Sequence, residues 1–235
     1  MTIHQKKPDL YLSMPHPCSY LPGRRSTILF VDPQRLLGQS EYGLFVQQGF
    51  RRSGDLVYRP HCKDCNACVA VRVPVRDFAP TRSQRRVLKK NADVAIIEKT
   101  PRFDPAHFDL YRRYQAARHP GSGMNDTDAQ KYLGFLASRQ VNGSFFELRA
   151  EGRLLGVAVA DHLPDGLSAV YTFFDPEVPA RSLGVFAVLW EIAEVVRRGQ
   201  DYLYLGYWIA ESSKMAYKSN FSPLEQLQQG MWIRR

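Results

Sequence analysis

Three cysteines stand as Cys62-x-x-Cys65-x-x-Cys68 in the run HCKDCNACVAVRV, and a fourth, Cys18, lies upstream beside the proline-rich turn MPHPCSYLPG. In a reducing compartment, thiols clustered this way read as metal, redox or reactive-thiol chemistry before they read as disulfides. Four thiolates suffice for a tetrahedral zinc site or for an iron-sulfur cluster. The same residues would also serve as small buried hydrophobes around a tight turn, and the spacing alone leaves both readings open.

The second chemical signal is charge. Residues 51–90 hold eleven Lys or Arg against three acids, whereas residues 91–235 hold sixteen against seventeen, so one block carries most of the formal net charge of +9. A basic block on an otherwise neutral chain suits a polyphosphate partner, because each phosphate contact releases counterions and makes affinity salt-dependent. A solvated charged face is the bland alternative.

These residues need a scaffold. With 235 residues, 44% hydrophobic and 23% charged, the chain can bury a substantial core as one large or two small domains. No run approaches the roughly 20 apolar residues that span a bilayer, and the start MTIHQKKPDLYLSMPHP has no apolar core of a secretory signal. The expected compartment is the cytoplasm.

Periodicity divides the chain into two parts. Residues 1–100 predict a small α+β module containing the cysteines. In it TILFVDP is a short strand, YGLFVQQGFRRSGDLVYRP paired strands around a Gly break, and VAVRVPV a strand confined by Pro74 to an edge or a strand end. SQRRVLKKNAD is a basic helix with Ser83 near its N-cap. Residues 101–235 predict two helices, PAHFDLYRRYQAARH and one opened by Asp126 or Thr127 through AQKYLGFLAS. An antiparallel meander of SFFELRA, GRLLGVAVADHL and LSAVYTFFDP follows. A long apolar helix, SLGVFAVLWEIAEVVRRG, capped by Ser182 and ended at Gly199, then precedes the buried strand DYLYLGYWI. This order is the one expected of an α/β, mixed-sheet acyltransferase of the N-acetyltransferase type, forming the larger domain.

The segments CSYLPGRRS, YGLFVQQGFRRSGDLVYRPHCKDCNACVAVRVPV, SQRRVLKKNAD, SLGVFAVLWEI and YLYLGYWIAESSKMAYKSNFSPLE resemble the arginyl/leucyl-tRNA-protein transferase family over essentially the whole chain. The compact length and HCKDCNACVAVRV are similar to its bacterial aspartate/glutamate leucyltransferase branch. The resemblance implies a cysteine-bearing N-terminal module on an acetyltransferase-like domain, leucyl-tRNA as donor, and a protein with N-terminal Asp or Glu as acceptor. Relatives that hold an iron-sulfur cluster carry a separated pair and an adjacent pair of cysteines. Here one stands alone and three follow in CxxCxxC, so zinc and a cluster both stay open.

The implied reaction is attack by an α-amine on an aminoacyl ester. An α-amine with a pKa of roughly 7.7–8.0 is partly neutral already, so positioning and oxyanion stabilisation should carry the rate, with no cofactor required for the chemistry. Asp175, at the end of YTFFDP, and Glu147, in FFELRA, are the candidate base or amine-orienting groups, and Tyr171 is a candidate on the same strand as Asp175. Against these stand a turn cap for Asp175-Pro176 and simple packing for Tyr171. Arg76, with Arg72 two pleats earlier on one strand face, is the candidate for the acceptor carboxylate, or else forms a surface ion pair. Arg82, Arg85, Arg86, Lys89 and Lys90 suit tRNA phosphates. Lys214, Tyr217 and Lys218 suit the acceptor end, and the amides at Ser182, Leu183 and Gly184 suit an anion.

Two other classes compete. An acetyl-CoA-dependent N-acyltransferase would explain the second half of the chain but not the basic block or the cysteines. A zinc-ribbon-like RNA-binding module would explain only the first half.

Overall fold

In the run Gly143–Ala150, Phe145 and Glu147 face one side and Phe146 and Leu148 the other, all buried. A strand apolar on both faces must lie between two layers, and the computed structural model, which describes residues 9–118 and 128–235, places it so.

The first part contains β1 (Leu10–Leu12), β2 (His16–Pro17), β3 (Arg25–Ser26), β4 (Ile28–Val31), α1 (Gln39–Gln47), β5 (Arg51–Ser53), β6 (Leu56–Pro60), β7 (Val69–Pro74), α2 (Arg82–Lys90) and β8 (Ala95–Lys99). The second contains α3 (Pro105–Arg118), α4 (Ala129–Leu136), β9 (Gly143–Ala150), β10 (Arg153–Leu163), β11 (Gly166–Phe174), α5 (Leu183–Arg197), β12 (Tyr202–Trp208), the short α6 (Ser213–Ala216), β13 (Glu225–Gln228) and β14 (Met231–Arg234).

An eight-stranded sheet runs β14-β13-β7-β12-β11-β10-β9-β8, and a four-stranded sheet runs β1-β4-β6-β5. The β9–β10–β11 meander is antiparallel, as expected, and the α5 crossover makes β12 parallel to β11. Helices α3 and α4 cover one face through Leu110, Tyr111, Tyr132 and Leu136. On the other, α5 packs Leu183, Phe186 and Ala187 over β9 and β10, and Val188, Leu189, Ile192 and Val195 over β7 and β12.

Several expectations are corrected. The stretch YGLFVQ is helical, not a strand: Tyr42, Phe45 and Val46 recur at helical spacing and are buried together in one cluster. Strand β7 is interior, between β13 and β12, so of the two expected places for Pro74 the edge is ruled out and the strand end holds, since Pro74 is its last residue, where the missing amide is tolerated. Thr81, not Ser83, caps α2 in a full capping box with Gln84. Helix α4 is capped by Asp128, while Asp126 and Thr127 lie outside the described residues. Ser182 precedes α5 but makes no side-chain cap and has a left-handed backbone, φ 53°. The four-stranded sheet draws only on the first hundred residues, yet β7 and β8 from the same stretch lie in the eight-stranded sheet.

The two sheets are joined by a buried ion pair. Arg52 of β5 holds Asp161 of β10, with Nη2 2.6 Å from Oδ1; Tyr42 donates to Oδ2 at 2.7 Å, and Arg52 Nη1 donates to the Leu136 carbonyl.

Candidate active site

Strands β11 and β12 pair only from Gly166–Ser168 against Tyr202–Tyr204. Beyond that, β11 runs on to Phe174 and β12 to Trp208, so two parallel strands part company in mid-sheet. The parting coincides with a bulge: the register of β12 against β7 shifts between Tyr204 and Gly206, and Gly206 has φ 70°, a conformation glycine adopts without a Cβ penalty. Parted parallel strands leave backbone groups free to meet a ligand in the crevice between them.

Side chains from distant segments enter this crevice. Arg51 of β5 donates Nη2 to the Val170 carbonyl of β11 at 3.1 Å, and its Nη1 would stand 3.3 Å from a Cβ on Gly206 of β12. Lys218, only 5% exposed, donates Nζ to the Tyr207 carbonyl at 2.7 Å. Burial, and then the charge of Arg51, pull its pKa down to about 7. Tyr217 is 43% exposed, yet burial of its hydroxyl end, with Glu191 and Tyr114 as neighbours, pushes the phenol up to about 12. Glu191, on the sheet side of α5, is 0% exposed, and burial pushes its carboxyl up to about 8.

The residues expected to act as base lie elsewhere. Asp175 is wholly buried and accepts from the Glu177 amide at 3.0 Å, from Arg113 at 3.2 Å and from Arg153. Burial would raise its pKa, but the Glu177 amide, Arg153 and Arg113 together hold it below the usual value. Asp175 therefore caps the turn after β11 as a fixed carboxylate. Glu147 points to the α3 face, 2.7 Å from His107 Nε2 and 2.8 Å from Arg149 Nε. Burial raises its pKa, and Arg149 and His107 more than offset the rise. Tyr171 accepts from Gln115 Nε2 at 2.9 Å within a cluster of rings that includes Tyr111, Tyr114 and Phe135.

The arginines expected for the acceptor carboxylate do not share a strand face. Arg72 lies flat on Tyr202, 3.5 Å from its ring centroid, and pairs with Glu225 at 2.7 Å. Arg76 falls beyond β7 in a 3-10 turn, Val75–Asp77, where it is 70% exposed and pairs with Asp201. Pro74 ends the strand, so the period of two that would align them stops there.

The basic helix is where the sequence places it. Arg82, Arg85, Arg86, Lys89 and Lys90 are all exposed on α2. Its C-terminal end is tied to the turn before α5: Lys90 donates to the Ala180 carbonyl, Asn91 to the Arg181 carbonyl, and Arg181 forks onto Asp93 just past the helix. This ties the positive face to the start of α5, where helical geometry frees the Leu183 and Gly184 amides, whereas the Ser182 amide, also expected to meet an anion, already donates to the Pro179 carbonyl at 3.2 Å. Lys214 is exposed on α6, whereas Lys218 offers no surface charge because its ammonium is turned inward.

The four cysteines are half-buried and reduced. Burial and the sulfurs of Cys18, Cys62 and Cys65 push the Cys68 thiol up to about 12, and Arg24 Nη1 lies 3.2 Å from Cys65 Sγ. Among the described residues the metal-type donors gathered within 4.8 Å of one another are Asp104, His107 and Glu147, and the cysteines are not drawn together so closely. The Asp104 triad is committed differently: Asp104 caps α3 and Arg149 occupies Glu147.

A further polar cluster joins Ser144 and His162, 2.7 Å apart, with Glu98 and Arg198. Arg198 donates to Nδ1, so Nε2 carries the proton and donates to Ser144, the opposite of what a base needs.

The crevice residues absent from the sequence reading are Arg51, Glu191, Tyr114 and Tyr207. Glu191 had a signal: an acid at a core position of LGVFAVLWEIAEVV, with Ala187, Val188 and Val195 on its own face.

Among the described residues no helix is long and apolar enough to cross a membrane. Comparison with solved structures finds the C-terminal domain of a protein described as a lysylphosphatidylglycerol synthetase from Agrobacterium fabrum. It matches at TM-score 0.50 and 12% identity, covering 81% of this chain and 62% of that one, which is a likeness of fold. Among curated proteins, aspartate/glutamate leucyltransferases are 48% identical in Pseudomonas aeruginosa, over 95% of both chains, and 50% identical in Nitrosococcus oceani, over 95% of this chain and 94% of that one. Residues 16–86 match the N-terminal part, and residues 106–228 the C-terminal part, of the arginine-tRNA-protein transferases, and the chain belongs to that family.

Proposed function

We infer that the protein transfers leucine from leucyl-tRNA to the α-amine of proteins beginning with Asp or Glu. The observation that carries this is the 48% identity to an aspartate/glutamate leucyltransferase across 95% of each chain. The parted strands β11 and β12, with α5 crossing between them, support an acetyltransferase-type catalytic domain. A leucyl N-terminus would mark the product for degradation, and a charged-tRNA donor places the reaction in the cytoplasm.

The amine nitrogen forms a bond to the ester carbonyl carbon, the carbonyl oxygen takes up negative charge, and collapse breaks the bond to the ribose oxygen of the tRNA, which leaves with a proton. Such a reaction needs alignment of two large substrates within about 3–3.5 Å and a charge for the oxyanion. The crevice supplies charge through Arg51, and Lys218 with a pKa of about 7 can take up the proton the amine loses. Arg51 is also the guanidinium best placed for the acidic acceptor side chain, in place of Arg76 and Arg72. The α2 cations hold tRNA phosphates, the amides of Leu183 and Gly184 the terminal phosphate, and Lys214 and Tyr217 the acceptor end. Cys18, Cys62, Cys65 and Cys68 remain the candidate ligands of zinc or of a cluster, by donor type and clustering, and no step of transfer passes through them.

The test offers the purified protein radiolabelled leucyl-tRNA with peptides beginning with Asp, Glu, Lys or Ala, and arginyl-tRNA or acetyl-CoA in parallel. Label passing from leucyl-tRNA to the acidic peptides alone is expected; transfer only from acetyl-CoA would refute the reading.

A further inference from the structure

Five carboxyls are buried among the described residues: Glu147, Asp161, Asp175, Glu191 and Glu194. Four are paired with arginines, namely Arg149, Arg52, Arg113 with Arg153, and Arg197 with Arg198. Glu191 is the exception. Neither of its oxygens meets a hydrogen-bond donor among the described residues, though both are shut off from solvent. A buried polar group without a partner is destabilising, and natural chains keep few of them. Glutamate here is not required by packing, since the positions one turn away on either side, Ala187, Val188 and Val195, are apolar.

Its position suggests a partner that comes from outside. Glu191 lies on the sheet side of α5 where the helix passes from the β9–β10 cluster to the β7–β12 cluster, that is, over the strands that part. Its electrostatic neighbour is Tyr217, the half-exposed residue that also neighbours Tyr114 from the opposite face of the sheet and Arg51 within the crevice. The crevice already holds cations in Arg51 and Lys218. What it lacks is an anion, and both substrates of the proposed reaction carry a primary α-amine: the leucyl group of the donor and the first residue of the acceptor.

We propose that Glu191 is the anchor for a substrate's primary α-amine, the carboxyl and the amine sharing one proton as a carboxylate–ammonium pair in the crevice. The assignment rests on the leucyl-transfer reading above and adds the residue that recognises the amine. Burial places the Glu191 carboxyl at about 8, close to the roughly 7.7–8.0 of an α-amine, so neither partner must be forced far from its own protonation range. The pairing also accounts for an acid kept where leucine would pack better, since a group that is unsatisfied in the free protein and satisfied by ligand trades stability for binding.

The test compares the full-length protein with Glu191→Gln, which keeps the shape and removes the anion, and with Glu191→Leu, which fills the site with apolar surface. Both variants are expected to melt no lower than the parent. Two arms separate the two amines. In the donor arm, binding of leucyl-tRNA is compared with that of N-acetyl-leucyl-tRNA. In the acceptor arm, KM is measured for a peptide beginning with Asp. If Glu191 holds the donor amine, the parent prefers leucyl-tRNA and the variants lose that preference by about 30-fold; if it holds the acceptor amine, the peptide KM rises by a similar factor. Variants that keep both the preference and the peptide KM within twofold of the parent overturn the proposal, including when kcat falls. Absence of any leucyl transfer by the parent would instead refute the functional reading, while the donor-binding arm would still judge Glu191.

Discussion

Arg51 and Val170 are joined by a hydrogen bond of 3.1 Å from a guanidinium of the smaller sheet to a carbonyl of the larger one, at the point where β11 has left its pairing with β12. In an unbroken sheet that carbonyl would accept from a neighbouring strand. Here the donor is a side chain fixed on β5, so one contact both satisfies the parted strand and fixes a positive charge inside the crevice.

Replacing Arg51 with Met should therefore remove activity more than stability. The expected loss in kcat/KM for leucyl transfer is at least 100-fold, with a destabilisation of about 1–3 kcal/mol from the carbonyl left without its donor. Urea denaturation together with the transfer assay checks both parts; a variant that is stable and fully active would remove Arg51 from the site.

Lys218 gives a pH signature. Its folded pKa, about 7, lies below the ordinary 10.5, so between those values the unfolded chain binds the proton that the folded chain has released. Stability attributable to this group rises with pH across that window, and the penalty of burying the ammonium is present in full below pH 7. Lys218→Met should accordingly be stabilised most at pH 6, by an amount on the order of a few kcal/mol, with the advantage shrinking toward pH 10. Denaturation midpoints of parent and variant at pH 6, 8 and 10 read this directly, and a constant offset would contradict it.

The Arg52–Asp161 pair is buried at both ends, with side-chain exposures of 1% and 0%. Asp161→Asn leaves a guanidinium in the interior without its counter-charge and is expected to cost about 3–5 kcal/mol. The double variant Arg52→Met with Asp161→Leu, which removes both charges, should recover much of that loss. Thermal melts of the three proteins test it.

On α2 the cations are exposed, and changing them should leave the fold alone. Arg82→Glu, Arg85→Glu and Arg86→Glu together are expected to weaken leucyl-tRNA binding at least tenfold and to reduce the slope of log affinity against log salt by about two to three, without a change in melting temperature. Equal binding by parent and variant across a salt titration would remove α2 from the tRNA face.

The meander β9–β11, the apolar helix α5, the strand β12 and the basic helix α2 were legible in the sequence, because each advertises itself over a single period: alternation in a strand, three- to four-residue recurrence in a helix, and charge crowded onto one short run. Boundaries were less so. The α1 stretch is ambiguous in sequence because YGLFVQ is short and apolar on several sides, and a run of that length does not distinguish strand from helix until its partners are known. For Asp175 the sequence offered both a base and a turn cap, and for Glu147 a base; only the fold brings Arg153 and Arg113 onto Asp175, and His107 of α3 onto Glu147 beside its strand neighbour Arg149.

By itself the sequence determined the seat of the positive charge and the order of the elements from β9 to β12, which follow from local pattern, and resemblance of whole segments pointed to the family. The crevice was decided by tertiary structure alone: it exists because β12 bulges at Gly206 and separates from β11, and because Arg51, Glu191 and Lys218, far apart along the chain, are carried to that gap by three different elements. Burial, which moves Lys218 down to about 7 and Glu191 up to about 8, is a property of what surrounds a side chain, and no spacing of letters encodes it.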